Sequence, residues 1–303
     1  MLDKKNIAVV GLGAMGFGAA NALLSAGHDV WGFDVAPAPV ERFMKKGGKT
    51  GALTDVAKRI DIAVVVVLND VQTETVLFGT EGIVSHMKKG AVVVACATVS
   101  PQFARKMAAA CENYHVHYLD APISGGAAKS AKGELSILAS GCSEAFLAAK
   151  PALDAMAEMV FELGDEIGAG SAMKAVNQML AGIHIVSMAE ALTFGISQGI
   201  EPARLVEVIS KCAGSSWMFE NRAPHVVGGD YTPHSAVNIW PKDLGIVLEI
   251  ARQAKFSAPM SALALQQFLA AAGSGLGKED DAAVAKVYAR NANLSLPGSE
   301  SDH

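Results

Sequence analysis

The sequence predicts an α/β domain built on a doubly wound, mostly parallel sheet, followed by an all-α domain. Three observations carry this expectation. Short β-branched runs alternate with amphipathic stretches from Asn6 to Leu163, the pattern of parallel strands joined by helical crossovers. A glycine loop from Gly11 to Gly16 follows the first run and opens an alanine-rich helix. After Gly164 the strand-like runs stop and long apolar helical stretches take over.

In chain order, Ile7–Val10, Asp29–Phe33, Ile62–Val67, Val92–Ala95 and Val116–Leu119 read as the strands. Glu134–Ala139 and Met159–Leu163 read as additional edge strands. The glycine-rich stretch Ile167–Gly170 places a domain boundary near residue 165, giving domains 1–165 and 166–293. Helical patterns fill the second domain, with breaks expected at Gly199, at Cys212–Ser216, at Pro224–Pro233 and at Gly273–Gly277. The tail 294–303 is polar, contains Pro-Gly, and is expected to be disordered.

Composition narrows the function. At 303 residues and 51% hydrophobic, the chain can bury a sizeable core. The formal net charge is −5 and no stripe of Lys and Arg appears, which argues against a nucleic-acid partner. Cys96, Cys111, Cys142 and Cys212 form no CxxC pair, and no His/Cys cluster has zinc spacing, so no metal is expected. Reduced thiols and the absence of a signal-peptide pattern point to the cytoplasm. Ala172–Ile196 is long and apolar, yet its Lys174, Asn177, Gln178, His184 and Glu190 would be costly in lipid. It reads as a buried central helix, with no membrane partner.

The sharpest motif is Gly11-Leu12-Gly13-Ala14-Met15-Gly16 between a hydrophobic strand and a helix. Gly11 permits the tight turn, Gly13 admits a pyrophosphate close to the backbone, and Gly16 lets helix pack on strand. The N–H groups of the helix start then face the phosphates. Asp34 closes the second strand at roughly the 20-residue offset of the acid that bonds the adenosine ribose. A carboxylate there repels a 2′-phosphate, and Val35, Ala36 and Pro37 supply no Arg. NAD is therefore the expected cofactor of a Rossmann domain, although Asp34 could also cap the following helix. Leu68 with Asn69, and Thr98, follow later strand ends, where ligands of such sheets bind; a helix cap is the other reading of Thr98.

Lys174 stands on the long apolar helix among Ala172, Met173, Ala175, Val176, Met179 and Leu180. Burial disfavours a lysine's charged form, which would suit it to proton exchange during alcohol oxidation or carbonyl reduction. Asn177 and Gln178 lie at i+3 and i+4 on the same helical face. Upstream, Asp120-Ala121-Pro122-Ile123-Ser124-Gly125-Gly126 follows a strand. Ser124 offers a hydroxyl, and Gly125 and Gly126 offer backbone N–H groups to a carboxylate or phosphate. The competing reading of that loop is a plain turn.

Taken together, four segments resemble the β-hydroxyacid dehydrogenase family. They are the Gly11–Gly16 loop with Gly27-His28, the Asp120–Gly126 loop with Gly133, Gly168-Ala169-Gly170 with Lys174 and Asn177, and Lys242-Asp243-Leu244. The resemblance implies NAD-dependent oxidation of a small hydroxy acid, here a sugar acid. It implies Lys174 as general acid/base, and Ser124, Gly125 and Gly126 as holders of the substrate carboxylate. It places Asn177 on the substrate, Lys242 near the nicotinamide and Thr98 on the cofactor, and it implies a homodimer or homotetramer. One departure stands out: many members carry two asparagines after the lysine, whereas here the pair is Asn177-Gln178, also assigned to the substrate. Ser215–Arg222, Asp230–Pro233 and Gly277–Asp281 carry the likeness to a member acting on short sugar acids. Trp217, Glu220, Asn221 and Arg222 would suit a polyol chain, or else form a helix junction and subunit contact. A non-catalytic NAD sensor is the alternative from another class, and it would have no need of Lys174.

Overall fold

A computed structural model describes residues 4–297; the end of the polar tail, 298–303, lies outside the described residues. The chain forms two compact units, which divide between Lys174 and Ala175 inside a single long helix.

In the first unit β1 (Asn6–Val10), β2 (Asp29–Phe33), β3 (Ile62–Val65), β4 (Val92–Ala95) and β5 (His117–Asp120) form a wholly parallel sheet in the order β2-β1-β3-β4-β5. Its crossover helices are α1 (Ala14–Ser25), α2 (Pro37–Met44), α3 (Leu53–Ala57), α4 (Asp70–Phe78) and α5 (Pro101–Glu112). Strand residues alternate between two cores. Ile7, Val9, Ile62, Val64, Val92 and Val94 face Ala20 and Leu23 of α1, whereas Ala8, Val10, Ala63, Val65, Val93 and Ala95 face Val56, Leu77 and Met107. Burial on both faces explains why the strands read as nearly unbroken apolar runs. The chain runs from β1 outward to β2 and then returns to β3 on the other side, so the order reverses beside β1, where ligands of such sheets bind.

The expected edge strands do not extend this sheet. Leu135–Ala139 (β7) and Ala157–Glu162 (β8) join a two-residue strand, Ile123–Ser124 (β6), in a separate three-stranded sheet. Pro122 ends the main ladder because it has no N–H to donate, and its carbonyl accepts instead from Leu138 N at 3.0 Å. Helices α6 (Gly126–Lys132) and α7 (Ser143–Met156) connect these strands.

Helix α8 (Ala169–Ser197) crosses from one unit to the other. The second unit continues with α9 (Pro202–Ile209), α10 (Trp217–Gly228), α11 (Ile239–Gln253), α12 (Pro259–Gly273) and α13 (Val284–Asn291). Its core gathers Ile185, Met188, Leu192, Leu205, Phe219, Trp240, Leu244, Phe268 and Val287, and Leu296 of the expected tail is buried in it. The break expected over Pro224–Pro233 falls within that span: Pro224 itself sits inside α10, and Gly229 ends that helix at φ 65°, a left-handed conformation that glycine adopts without strain.

Helix α8 is only partly the buried helix expected. It is long and apolar enough to cross a membrane by length and composition, with a mean hydropathy of 1.6, and 44% of that window is buried. Met173, Val176, Leu180 and Phe194 are exposed, while Lys174 and Gln178 are buried. Lys174 and Gln178 thus face inward, Asn177 and His184 are half-buried, Glu190 is exposed, and several apolar side chains are left open.

Candidate functional site

The glycine loop takes the shape its sequence demands. Gly11 has φ +96°, and a Cβ there would sit 2.1 Å from the Val66 carbonyl oxygen. A Cβ on Gly16 would lie 1.9 Å from the Gly11 carbonyl oxygen. Both positions thus require glycine for the packing of the β1–α1 turn. Gly13 differs: a Cβ there would meet no protein atom within 4 Å. No packing within the protein requires glycine there, and the open space would admit a closely approaching ligand. Gly13 precedes α1 with no side-chain cap, and no acidic residue stands in the first turn. The N–H groups of Ala14, Met15 and Gly16 consequently have no acceptor within the helix, which suits a pyrophosphate.

Asp34 holds this loop from the neighbouring strand. Its Oδ2 accepts from Leu12 N at 2.8 Å and its Oδ1 from Ala36 N at 2.8 Å. The carboxylate at the end of β2 is therefore oriented by two backbone donors. Asn69 caps α4, accepting from Gln72 N at 2.8 Å, and Leu68 N donates to Gln72 Oε1 at 2.8 Å. Both residues occupy the loop after β3, but their hydrogen bonds serve that loop. Thr98 lies in the segment after β4, half-buried; the cap of α5 is Ser100, which accepts from Phe103 N, so the capping alternative for Thr98 does not apply.

The Ser124–Gly126 loop is built on two successive glycines with positive φ. Gly125 and Gly126 have φ of 124° and 75°, accessible to glycine without strain. From Gly126 the chain enters α6, which packs tightly on α1. Ser130 Oγ donates to the Met15 carbonyl at 2.5 Å, and a Cβ on Gly18 would collide with Ser130 and Ala131 at 2.7 Å. The nucleotide helix and the Ser124–Gly126 loop are thereby fixed to one another within the first unit.

Lys174 joins the same constellation. Its side chain is buried, and Nζ donates to the Ile123 carbonyl at 2.9 Å, one residue before Ser124. Its helix is anchored by an acid that no local motif marks. Asp120, 1% exposed at the end of β5, accepts at Oδ1 from Ser171 Oγ at 2.7 Å. At Oδ2 it accepts from Ser171 N at 2.8 Å and Gly168 N at 3.1 Å, with Ser140 Oγ at 3.4 Å. A carboxylate thus caps the first turn of α8, three residues before Lys174. Burial pushes the Asp120 carboxyl above the ordinary aspartate value, against the pull of the Ser171, Gly168 and Ser140 donors. The only clue in the sequence was an acid closing an apolar strand; its partners lie far along the chain.

In the second unit the remaining candidates form a chain of their own. Asn177 Nδ2 donates to Gln178 Oε1 at 2.9 Å, and Gln178 Nε2 donates to Asp243 Oδ2 at 2.5 Å. Asp243 Oδ1 lies 2.6 Å from Lys242 Nζ. Asp243, 2% exposed, therefore holds both Gln178 and Lys242. The longer glutamine amide reaches this acid. Arg222, by contrast, is a structural residue: it is buried, its Nε lies 2.6 Å from Asp281 Oδ1, and its guanidinium also donates to Asn221. Trp217 is exposed, and Glu220 accepts from Ser215 Oγ at 2.8 Å.

Comparison with known proteins identifies the family. The NAD-binding domain of 6-phosphogluconate dehydrogenase matches residues 6–164, and the NAD-binding domain of NADP-dependent 3-hydroxyisobutyrate dehydrogenase matches residues 168–288. An L-threonate dehydrogenase of Cupriavidus necator is 47% identical, covering 97% of this chain and 98% of that protein. One from Escherichia coli strain K12 is 41% identical, covering 98% of each. The crystal structure of a 3-hydroxyisobutyrate dehydrogenase from Salmonella typhimurium superposes with a TM-score of 0.89 at 43% identity, covering 94% of this chain and all (100%) of that one. With its glycine loop, its matched domains and these relatives, the chain belongs to the β-hydroxyacid dehydrogenase family of NAD(P)-dependent oxidoreductases.

Proposed function

We propose that this enzyme oxidises L-threonate to 2-dehydro-L-erythronate with NAD, using Lys174 as the acid/base. The observation that carries the mechanism is the buried Lys174 amine held on the Ile123 carbonyl, beside the Ser124–Gly126 loop. The relatives named L-threonate dehydrogenase support the substrate. Residues Gly11, Leu12, Gly13, Ala14, Met15 and Gly16 hold the dinucleotide phosphates, and Asp34 takes the adenosine ribose. Leu68, Asn69, Thr98 and Lys242 complete the cofactor contacts. The oriented carboxylate of Asp34 supports NAD over NADP by charge repulsion of a 2′-phosphate.

When bound, the nicotinamide supplies the hydride acceptor. The N–H groups of Gly125 and Gly126 and the Ser124 hydroxyl bind the substrate carboxylate, and Asn177 and Gln178 bind its hydroxyls. Lys174, as the neutral amine, takes the proton of the reacting hydroxyl as the hydride leaves its carbon. The reverse transfers reduce the ketone. Gln178, fixed by Asp243, makes a rigid polar contact rather than a mobile one.

The exposed apolar stripe of α8, with Met173, Val176, Leu180 and Phe194, supports a homodimer or homotetramer in which a second copy covers it. The net charge of −5 speaks against nucleic acid, and the inward-facing Lys174 and Gln178 of α8 speak against a membrane span. Exposed free Cys142 and Cys212 suit a reducing compartment, the cytoplasm.

The test is a panel of L-threonate, D-threonate, the erythronates, D-glycerate and 3-hydroxyisobutyrate, each with NAD and with NADP, followed by absorbance of the reduced cofactor. L-Threonate with NAD should give the highest kcat/KM. The second reading is a 3-hydroxyisobutyrate dehydrogenase, favoured by the name of the Salmonella structure, or a tartronate semialdehyde reductase of the same family. Preference for 3-hydroxyisobutyrate, or for tartronate semialdehyde with NADH, would replace the first reading. No turnover of any hydroxy acid would leave only a nucleotide sensor.

A further inference from the structure

The second unit carries a cluster of metal-ligating side chains that the proposed chemistry does not use. His225 lies in the last turn of α10, His234 in the loop that follows, and Asp280 just ahead of α13. One ligand atom from each lies within 4.8 Å of the other two. His225 Nδ1 stands 2.9 Å from Asp280 Oδ1, and the two imidazoles meet edge to face with centroids 5.0 Å apart. The two histidines are nine residues apart and Asp280 lies 46 and 55 residues from them, so no zinc-type spacing announces the three.

The carboxylate is held before any ion arrives. Asp280 is fully buried; its Oδ2 accepts from His234 N at 2.9 Å and its Oδ1 from Ala282 N at 3.1 Å. The strands of chain around it are tied by Asp280 N to Tyr231 O at 2.9 Å and Asp281 N to Ser235 O at 2.7 Å. Arg222 Nε is 4.0 Å from Asp280 Oδ1, but its charge is matched by Asp281 at 2.6 Å. Asp230, four residues before His234, carries a further negative charge. The cluster therefore keeps anionic charge for a cation. Asp280 closes its inner side, while the exposed His234 leaves the outer side open.

We propose that His225, His234 and Asp280 bind one divalent transition-metal ion of the zinc type, which takes the place of the proton between His225 and Asp280. Two imidazoles and one carboxylate are a donor set for zinc rather than for calcium or magnesium. Bonds of about 2.0–2.1 Å in a tetrahedral arrangement set ligand atoms roughly 3.4 Å apart. The His225–Asp280 pair opens slightly from its hydrogen-bonded spacing, and the exposed His234 ring swings in. The solvent side supplies water as the fourth ligand. The ion clips together the end of α10, the loop that leads into α11 and the segment before α13. Its role is to hold fold rather than to react.

The experiment uses the full chain with any affinity tag removed, stripped with EDTA and dialysed. Zinc chloride is titrated by calorimetry at neutral pH, and thermal unfolding is followed with and without zinc. Wild type should bind one ion per chain with a raised Tm, and cobalt should give the visible absorption of a tetrahedral nitrogen–oxygen site. His234→Ala, an exposed substitution, and His225→Gln should each weaken zinc binding by roughly tenfold or more, since even outer contacts of metal ligands are worth 10–100-fold. Turnover of stripped wild type and of His234→Ala should be equal, which separates this site from the hydride-transfer site. No heat of zinc binding in wild type, or zinc binding as tight in both variants as in wild type, would overturn the assignment.

Discussion

Replacing Asp120 tests how the fold places the proposed acid/base. Its carboxylate accepts from Ser171 N, Ser171 Oγ and Gly168 N at 3.1 Å or less, at a position 1% exposed to solvent. Asp120→Ala strands these donors where no water replaces the acceptor, and each orphaned buried donor costs about 1–3 kcal/mol. Local relaxation recovers part of that sum, so the expected loss is about 3–5 kcal/mol, the upper range for single substitutions. Asp120→Asn preserves shape and one acceptor but turns an NH₂ group toward backbone donors; its expected loss is about 1.5–3 kcal/mol. Urea unfolding reads both as a lower midpoint at unchanged slope. The same anchor sets the first turn of α8, and a displacement of about 1 Å at a catalytic group can cost 10²-fold in rate. Asp120→Asn should therefore lower kcat by about tenfold or more while leaving NAD affinity unchanged. Wild-type stability and turnover in Asp120→Asn would refute both the cap and its influence on Lys174.

Three further outcomes follow from the geometry. Gly16→Ala forces a Cβ to 1.9 Å from the Gly11 carbonyl oxygen, so the β1–α1 turn must open; NAD affinity measured by fluorescence titration should fall at least about tenfold, equivalent to about 1.4 kcal/mol. Asp34→Ala removes the acceptor of Leu12 N as well as the negative charge; kinetics with both cofactors should show weaker NAD binding together with a relaxed preference toward NADP, and a wild type already preferring NADP would contradict the role of Asp34. Burial pushes the Cys96 and Cys111 thiols up to about 12, so at neutral pH neither forms the reactive thiolate; a thiol reagent should modify Cys142 and Cys212 in the native protein and reach all 4 cysteines only on unfolding.

What the sequence reveals is what is local. The Gly11–Gly16 loop, Asp34 and the five parallel strands are legible because strand period, turn glycines and helix start lie within a few residues of one another. Lys174 is legible as an incongruous charge on an apolar helix. Asp120 and Asp243 pass without roles because their partners are 51 and 65 residues away, and nothing local marks an acid that accepts from a distant helix. The small second sheet is hidden for a similar reason: its strand β6 is only two residues long and breaks away at a proline. Within the break expected over Pro224–Pro233, Gly229 rather than Pro224 ends the helix, because a helix held on both sides by packed neighbours such as Phe219 and Val226 tolerates the lost hydrogen bond.

The central claim is that the Lys174 amine carries the proton that accompanies hydride transfer. Single-turnover oxidation of L-threonate by Lys174→Met, beside NAD binding measured on the same protein, tests it most directly. The account predicts a chemical step slowed by about 10²-fold or more with dinucleotide affinity intact. A methionine variant that reduces NAD at the wild-type rate would assign that proton to another group.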